Sequence, residues 1–477
     1  MNPRIFLLAF FLIAIPACNA TLELGVERTP TPNHAATATI SALANENARL
    51  ATRVATLTSA TPIAPDLGKL AFVQGGDIWV MTLPDGAPQR LTTDGRNSTP
   101  RWSPSGTWLA FRKERALMVQ REVPCEAPWR LQEMCRDLVA TIQKQIWLIE
   151  VAGTRSRVLN QGLTVDQFAW SPASDRLAFV TETGGLQMTT PENATVIALT
   201  TSIGGGQIGR VAWNGDGTHI AYEWRASDLA AQSLWIVAAE NGERDQVYSA
   251  GATRSDIFLA SWAGDGKQIL FWQSETRGAP SADGLTLYRV PPQKNATPAR
   301  VATTPMAYHD FIASASNGAL AVVTGVSAST WTSKTIETGK PITPKNLAAI
   351  APTWSPNSAR IAFAAMPARA ELNFEDALGA LMARRIWVAN AAGEGEPRRL
   401  TSTTSYREER PLWSADGNYI LFARFDQRGR VTLWTVAVET GMTRQVVDEL
   451  TPAPDPLGFF GHIEWDALFD WWRGAGK

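Results

Sequence analysis

Three recurring features of the sequence predict an all-β fold made of eight similar units. A short apolar strand of the Leu-Ala-Phe type occurs eight times, from Leu70-Ala71-Phe72 to Ile420-Leu421-Phe422. A second strand, of the Ile-Trp-Val type, also recurs eight times, and a Trp with a tight turn precedes most copies of the first strand. Gly, Asp, Pro or Ser bounds each strand, and these residues favour turns. Four short strands in a repeat of about fifty residues are typical of a β-propeller, so we predict eight blades.

The Trp and its turn are the most regular part of the repeat. They occur as Trp102-Ser103-Pro104-Ser105-Gly106 and as Trp213-Asn214-Gly215-Asp216-Gly217. The chain contains 19 Trp beside 17 Phe and 6 Tyr, and a Trp that recurs once per unit is expected to wedge between adjacent sheets. This turn and the strand after it resemble the TolB-like propeller repeat, whose signature is Trp-Ser-Pro-Asp-Gly followed by Ile-Ala-Phe. The resemblance covers residues 68–466 and implies the fold. It concerns the repeat and not TolB itself, which combines six blades with an α/β domain.

The two ends of the repeat array predict how the ring closes. Unit one has no Trp strand before Leu70-Ala71-Phe72, whereas His462-Ile463-Glu464-Trp465-Asp466 follows the last unit. We predict that this C-terminal segment forms the inner strand of blade one and so removes an open sheet edge. The propeller would then span 61–466 and leave 467–477 as a tail. The sixth unit has lost its Trp at 312–318 and is predicted to be the least regular blade.

The first residues indicate an exported protein. An apolar run follows Arg4 and leads into Ile15-Pro16-Ala17-Cys18, which is the arrangement of a secretory signal. The last four residues resemble a bacterial lipoprotein box, in which the Cys is lipidated and becomes the N-terminus. We therefore predict a signal peptide over 1–18, a lipid on Cys18, and anchoring to the outer face of a bacterial membrane, in the periplasm or at the cell surface. The alternative is cleavage near Ala20 with loss of Cys18.

Two further segments precede the repeats. Residues 19–35 are poor in apolar side chains and contain Thr29-Pro30-Thr31-Pro32, which predicts a flexible tether. Over 36–60, residues recur at alternating spacings of three and four: Ile40, Leu43, Asn47, Leu50, Val54 and Leu57. This is the a/d spacing of a coiled coil, with Asn47 at an a position. The segment predicts a short helix that assembles a homo-oligomer, or alternatively a single amphipathic helix packed on the propeller.

Insertions are concentrated on one face of the predicted ring. Blade two carries 119–144, with a helical series of Leu131, Met134, Leu138 and Ile142, and blade seven carries 366–385, with Phe374, Leu378 and Leu381 on one helical face. Shorter extensions lie at 225–232 and 275–283. With Cys18 assigned to lipid, Cys125 and Cys135 remain as a pair within one insertion, which predicts a disulfide. The alternative is two separate buried thiols. We interpret this face as a binding surface, and the alternative is helical caps that cover the channel.

Polar residues just before the inner strands are expected to surround the mouth of the channel on this face. They are Asn97, Arg101, Asp166, Arg210, Asp256, His309, Asp310, Arg407, Glu408, Glu409, Arg410 and His462. Their mixed charge suits a peptide, a glycan or a protein loop. His309 and His462 belong to units three blades apart, so they are not expected to converge on a metal.

Composition restricts the function classes. The 44 basic and 45 acidic side chains leave a net charge of -1, which does not favour nucleic acid as a partner. Four His and three Cys offer little for metal chemistry, no Gly-x-Ser-x-Gly elbow of a hydrolase occurs, and no cofactor is implied. We expect a protein-binding or scaffolding module of the cell envelope, with an envelope protein or glycan as partner, and not an enzyme. The alternative is a glycan-active or peptide-active enzyme that uses carboxylates at the channel mouth.

Overall fold

The computed structural model describes two units, Met1–Ile63 and Ala64–Lys477. The described residues are 42–43, 45–49, 65–124, 134–153, 155–159, 165–193, 195–200, 206–225, 232–251, 255–274 and 284–474. In the first unit they are helical and exposed, whereas Cys18, the tether and the rest of the predicted coiled coil lie outside the described residues. Among the described helices, none is long and apolar enough to cross a bilayer.

The second unit is an eight-bladed all-β propeller, as the repeats predict. The strands of the first four blades are β1 (Lys69–Gln74), β2 (Asp77–Thr82) and β3 (Gln89–Arg90); β4 (Asn97–Trp102), β5 (Trp108–Pro124), β6 (Met134–Glu150) and β7 (Ser156–Val158); β8 (Val165–Trp170), β9 (Leu177–Thr181), β10 (Leu186–Thr189) and β11 (Val196–Thr200); and β12 (Gln207–Trp213), β13 (His219–Arg225), β14 (Gln232–Ala238) and β15 (Arg244–Ser249).

The remaining blades follow the same antiparallel order. Their strands are β16 (Ile257–Trp262), β17 (Ile269–Gln273), β18 (Leu285–Val290) and β19 (Ala299–Thr304); β20 (Ile312–Ser314), β21 (Leu320–Thr324) and β22 (Thr335–Glu337); β23 (Leu347–Trp354), β24 (Arg360–Pro367), β25 (Arg385–Asn390) and β26 (Arg398–Arg399); β27 (Tyr406–Trp413), β28 (Tyr419–Asp426), β29 (Val431–Ala437) and β30 (Thr443–Leu450); and β31 (Phe469–Trp472). The inner strands of neighbouring blades contact one another around the channel.

The recurring Trp holds adjacent blades together. Its indole nitrogen donates to a backbone carbonyl of the preceding blade's inner strand: Trp170 to Arg101, Trp213 to Ala169, Trp262 to Ala212 and Trp413 to Thr353, each at 3.0 Å, and Trp354 to Ala313 at 3.1 Å. The turns after these Trp residues need a left-handed residue, and Gly217 supplies it with φ of 70°. The wedge prediction is therefore confirmed, and the hydrophobic core lies between the blades, as in the cluster shared by Val180, Ile208 and Tyr222.

The C-terminal segment closes blade one, but by a later strand than predicted. β31 pairs antiparallel with β1, with Leu70 opposite Trp471, so the propeller extends beyond residue 466. The alternating burial of Phe469 and Trp471 suits a strand. Residues 462–466 instead cross the channel face. Trp465 begins a short 3-10 helix (Trp465–Ala467), and the Trp465 indole donates to the Glu409 carboxylate. The prediction that 462–466 forms the closing strand is wrong.

In its described residues, the blade-two insertion is a β-ribbon and not a helix. β5 and β6 pair over 17 residues each, far beyond the length of neighbouring strands. The β-branched residues Val139 and Thr141 favour this extended backbone over the helix predicted from Leu138 and Ile142. Cys135 lies on β6, whereas Cys125 lies outside the described residues, so the disulfide stays a prediction.

The blade-seven insertion does contain the predicted helix, α1 (Phe374–Leu381). The Asn373 side chain caps it by accepting from the Asp376 N–H at 2.9 Å. Of the predicted apolar face, Leu381 is buried and Phe374 is exposed, and Ala377 is buried beside Leu381.

Blade six is the least regular, as predicted, because its sheet has three strands. The repeat pattern predicts a second strand at Thr330-Trp331-Thr332 in this unit, but Trp331 is buried there and the Thr330 N–H donates to the Phe460 carbonyl at 2.9 Å. That segment therefore packs against the C-terminal segment.

Candidate functional site

Bulges in the inner strands turn polar side chains towards the channel. The pairing register of β12 shifts between Ile208 and Val211, and that of β27 shifts between Glu409 and Leu412. A bulge inserts one extra residue and redirects the side chains around it. Arg210 and Arg410 occupy these bulges, and Arg410 has a left-handed φ of 55°. The same irregularity recurs in blade two before Arg101.

Arg101 and Arg210 line a cavity of about 310 Å³ at the channel, named here the channel cavity. Blades two, three, four and six and the C-terminal segment contribute to it. Its lining consists of Thr99, Arg101, Arg112, Gln167, Arg210, Tyr308, His309, Asp310, His462, Glu464, Trp465, Asp466 and Ala467. Three guanidinium groups and three carboxylates therefore share one small space, so the lining has no strong excess of either charge.

Arg410 joins two of the carboxylates. One of its terminal nitrogens donates to Asp310 in blade six and the other to Asp466 in the C-terminal segment. Arg101 lies 3.6 Å from the Asp466 carboxylate and donates to its backbone carbonyl at 2.6 Å. Burial alone would raise the pKa of Asp466, but Arg410 and Arg101 lower it to about 2. The arginine thus ties three parts of the ring together and keeps Asp466 ionised.

His309 and His462 line the same cavity, although they belong to units three blades apart. The C-terminal segment carries His462 across to blade six, where its ring stacks on Tyr308 with centroids 3.7 Å apart. Burial lowers the pKa of both imidazoles, and the positive charge of Arg410 adds to this, against the opposing effect of Asp310. Burial also raises the pKa of Tyr308 to about 12. At neutral pH these three rings are uncharged.

Exposed aromatic side chains continue from the cavity onto the surface. The Phe459 ring meets Tyr308 edge-on at 6.2 Å and Phe460 at 4.8 Å. Phe459 and Phe460 are 44% and 43% exposed, although they are large and apolar. Tyr308, Phe459 and Phe460 are named here the aromatic rim. Apolar surface next to a polar cavity is the arrangement of many ligand sites.

Arg210 differs from Arg101 and Arg410. Its guanidinium makes two long hydrogen bonds, 3.4 Å to the Leu259 carbonyl and 3.5 Å to the Ala307 carbonyl, and lies 5.8 Å from the centre of the Phe258 ring. Within the described residues no carboxylate oxygen lies within 4.0 Å of it. The nearby Glu223 is buried and already pairs with Arg225 at 3.1 Å.

Several predicted site residues have structural roles instead. In β27, alternate side chains point to opposite sides, so Glu409 pairs with Arg407 at 2.5 Å and with Arg384, while Glu408 pairs with Arg424 at 2.8 Å. All five side chains are buried. These ion pairs join blades seven and eight to the C-terminal segment and leave no group accessible to a ligand.

The other predicted residues lie outside the channel cavity. Asn97 is buried and donates to the Asp77 carboxylate at 3.2 Å, and Asp256 accepts from Gln232 at 2.6 Å. Asp166 lies on β8, but its side chain is outside the described part of the chain. Thus Arg101, Arg210, His309, Asp310 and His462 line the cavity, and Arg410 supports it.

Several lining residues are not among those predicted from the sequence; they include Tyr308, Glu464 and Asp466. Asp466 and Glu464 lie in the segment assigned to the closing strand, so their position was misjudged. Tyr308 lies next to two predicted residues, and an aromatic residue beside His309 and Asp310 was the available signal. In the described ranges no group of three or more His, Cys, Asp or Glu is arranged to hold a metal.

No family model and no curated protein matches this sequence. Solved structures are similar to it in fold. Dipeptidyl peptidase 4 of Porphyromonas gingivalis is 11% identical with a TM-score of 0.54, over 82% of this chain and 61% of its own. This chain therefore spans about three fifths of that peptidase, and the likeness shows a shared fold alone.

Two further structures match with lower scores. TolB from Acinetobacter baumannii is 13% identical with a TM-score of 0.36, over 83% of this chain and 67% of its own. An oligogalacturonate lyase in complex with manganese is 12% identical with a TM-score of 0.43, over 80% of this chain and 85% of its own.

Proposed function

We propose that this protein is a binding module of the bacterial cell envelope, and that the channel cavity and the aromatic rim hold its ligand. One observation carries the proposal. Exposed phenylalanine rings continue directly into a polar cavity through Tyr308, which contacts both Phe459 and His462. A partner that enters the cavity with a polar group can cover the apolar rings at the same time.

The state of the carboxylates favours binding over catalysis. Arg410 holds both Asp310 and Asp466. A general acid needs a pKa near the working pH, whereas that of Asp466 is about 2. The two paired carboxylates are suited to hold Arg410 in place, so we do not assign an acid–base role to them.

Export and anchoring form the second part of the proposal. They rest on the signal-like residues 1–18 and on Cys18, which a lipid would attach to the outer face of a bacterial membrane. The full chain expressed in a bacterium that processes lipoproteins should partition into the detergent phase, and Cys18→Ser should move it to the aqueous phase. Equal partitioning of the two proteins would refute the anchor.

Residues 36–60 extend the proposal to assembly. A coiled coil there would present several propellers from one site, which suits a scaffold. Light scattering of the full chain in detergent should give a multiple of the protomer mass, and Leu43→Asp, an exposed apolar position in the helical part, should give a single protomer. A single protomer for both proteins would refute assembly through this segment.

Site-specific crosslinking tests the binding proposal. The photoreactive substitution Phe459→p-benzoylphenylalanine places the probe on the aromatic rim, and Ile197→p-benzoylphenylalanine places it on β11, where Ile197 is equally exposed at 50%. With solubilised envelope, we expect a crosslinked partner from the first protein and none from the second. Crosslinking from both positions, or only from Ile197, would contradict a binding site at the rim.

A further inference from the structure

We propose that the channel cavity binds the free carboxyl terminus of a peptide, with Arg210 as the partner of the terminal carboxylate and the aromatic rim as the contact for the last side chain. This inference rests on the proposed function and names the ligand class of that site. It follows from three observations: an arginine in the cavity with no carboxylate oxygen of the described residues within 4.0 Å, apolar rings beside it, and a lining that disfavours a polyanion.

The charge partners of the cavity arginines carry the first step. Arg410 is fully engaged by Asp310 and Asp466, and Arg101 is engaged by Asp466. Arg210 makes two long hydrogen bonds to backbone carbonyls, lies over the Phe258 ring and lines the cavity. A carboxylate of a ligand can form two parallel hydrogen bonds with such a guanidinium.

The positions of the rings carry the second step. Arg210 donates to the carbonyl of Ala307, the residue before Tyr308, so the guanidinium and the Tyr308 ring belong to one wall of the cavity. Phe459 contacts Tyr308 from the surface side. A ligand whose carboxylate reaches Arg210 therefore has an apolar surface one side chain away. The last residue of a peptide carries its carboxylate and its side chain on the same carbon, which matches this spacing.

The acidic residues of the lining carry the third step. Asp310, Glu464 and Asp466 lie around the same cavity, and Asp466 is ionised at neutral pH. An acidic glycan carries a carboxylate on many of its sugars and would meet repulsion from these groups. A peptide terminus brings one negative charge, and its backbone N–H groups can donate to the exposed carboxylate of Glu464. The lining thus favours a peptide end over a polyanionic chain.

The test compares two forms of one probe on the full chain in detergent. The probe is a fluorescent hexapeptide pool with random residues at the first five positions and Phe at the last, as the free acid or as the carboxamide. We expect the free acid to bind at least tenfold more tightly, because the carboxamide lacks the charge that pairs with Arg210. This comparison uses the unaltered protein, so it does not depend on how any variant folds.

Variants then locate the effect. Arg210→Gln should abolish the tenfold preference for the acid, and Arg210→Lys should restore part of it. Arg289→Gln, which removes an exposed arginine of β18, should leave the preference unchanged. Phe459→Ala should weaken both forms several-fold and leave the preference for the acid intact.

The outcomes separate this inference from the proposed function. If acid and carboxamide bind equally and both depend on Phe459, the site binds peptides but the carboxylate inference is overturned. If neither form binds and the rim still crosslinks to a partner, the ligand is not a peptide terminus. If an oligogalacturonate binds through Arg210 and the peptides do not, the ligand is an acidic glycan and the inference is again overturned. If no probe binds and nothing crosslinks, the proposed function fails as well.

Discussion

The Tyr308 ring lies over the His462 imidazole with centroids 3.7 Å apart and an angle of 23° between the ring planes. Tyr308 precedes blade six, and His462 belongs to the segment that runs from blade eight to blade one. The same C-terminal segment supplies Asp466 to the channel cavity and β31 to blade one. Ring closure and site formation therefore depend on one stretch of chain.

Removal of residues 469–474 should destabilise the whole propeller. Without β31, the inner edge of β1 is open and the cluster around Phe469 and Trp471 loses its cover. We expect the thermal midpoint to fall by about 4 °C or more, as loss of about 3 kcal/mol or more implies for a single cooperative unit of this size. Deletion of residues 475–477 is the control. A 469–474 deletion that melts at the wild-type temperature would contradict closure by β31.

Glu409→Gln should cost about 3 kcal/mol of the free energy of unfolding. The substitution leaves the buried guanidinium groups of Arg384 and Arg407 without their shared negative charge. Glu439→Gln is the matched control, because Glu439 is 77% exposed in its pair with Arg360 and should contribute little. Urea unfolding measures both. Equal, small effects would mean that the buried pairs do not stabilise the junction of blades seven and eight.

Trp413→Phe should lower the free energy of unfolding by about 1–2 kcal/mol, because the Thr353 carbonyl loses the indole donor that reaches it from the next blade. Trp434→Phe is the comparison within the same blade, since the Trp434 indole donates only to Thr432 on its own strand. Trp434→Phe should lower the free energy of unfolding by about half as much as Trp413→Phe. If chemical denaturation gave the two variants the same stability, the hydrogen bonds between blades would not be the reason for the recurring Trp.

Much of the fold could be predicted because it is local and repeated. The turn after Trp213 and the strand from Ile220 recur in unit after unit, and each copy corroborates the others. The C-terminal segment has no second copy, so the choice between 462–466 and Phe469–Trp472 as closing strand had no independent support. The helix predicted for blade two failed because Leu138 and Ile142 fit a helical spacing, while the β-branched residues between them favour a strand.

The sequence predicts a cavity residue correctly only where its position in the repeat determines whether its side chain faces the channel. Arg210 lies in the bulge within the inner strand β12, and the repeat places it correctly. Arg407 and Glu409 occupy a comparable stretch of blade eight, but their side chains pair with each other below the surface. Which of four consecutive polar residues reaches the channel depends on the bulge at Arg410, and the sequence pattern does not locate that bulge.

The stability of the protein should decrease as the pH falls below about 6.5. Burial lowers the pKa of His309 and His462 in the folded state, so the unfolded chain takes up these protons first. The free energy of unfolding should therefore decline between the unfolded pKa and the lowered folded values, and these two groups add nothing further below that window. Urea midpoints at pH 7.5 and 5.5 measure the decline, and His309→Gln with His462→Gln should reduce it. If the urea midpoint of the double variant fell between pH 7.5 and 5.5 as much as that of the wild type, His309 and His462 would not be the cause of the decline.

Arg410→Met should weaken the site without opening the ring. Asp310 and Asp466 lose their shared partner, and we expect a loss of about 1–3 kcal/mol in stability. Arg444→Met, which removes the exposed pair with Asp85, should have almost no effect. A thermal midpoint equal to that of the Arg444 variant would show that Arg410 does not hold the cavity together.

Hydrogen–deuterium exchange with and without the free-acid hexapeptide pool tests the central claim most directly, because it shows where the ligand lies. The account predicts slower exchange at 306–311 and 457–467, the two stretches that meet at Tyr308 and His462. Protection confined to the outer strands of the blades, with no change in these two stretches, would contradict a binding site at the channel cavity and the aromatic rim.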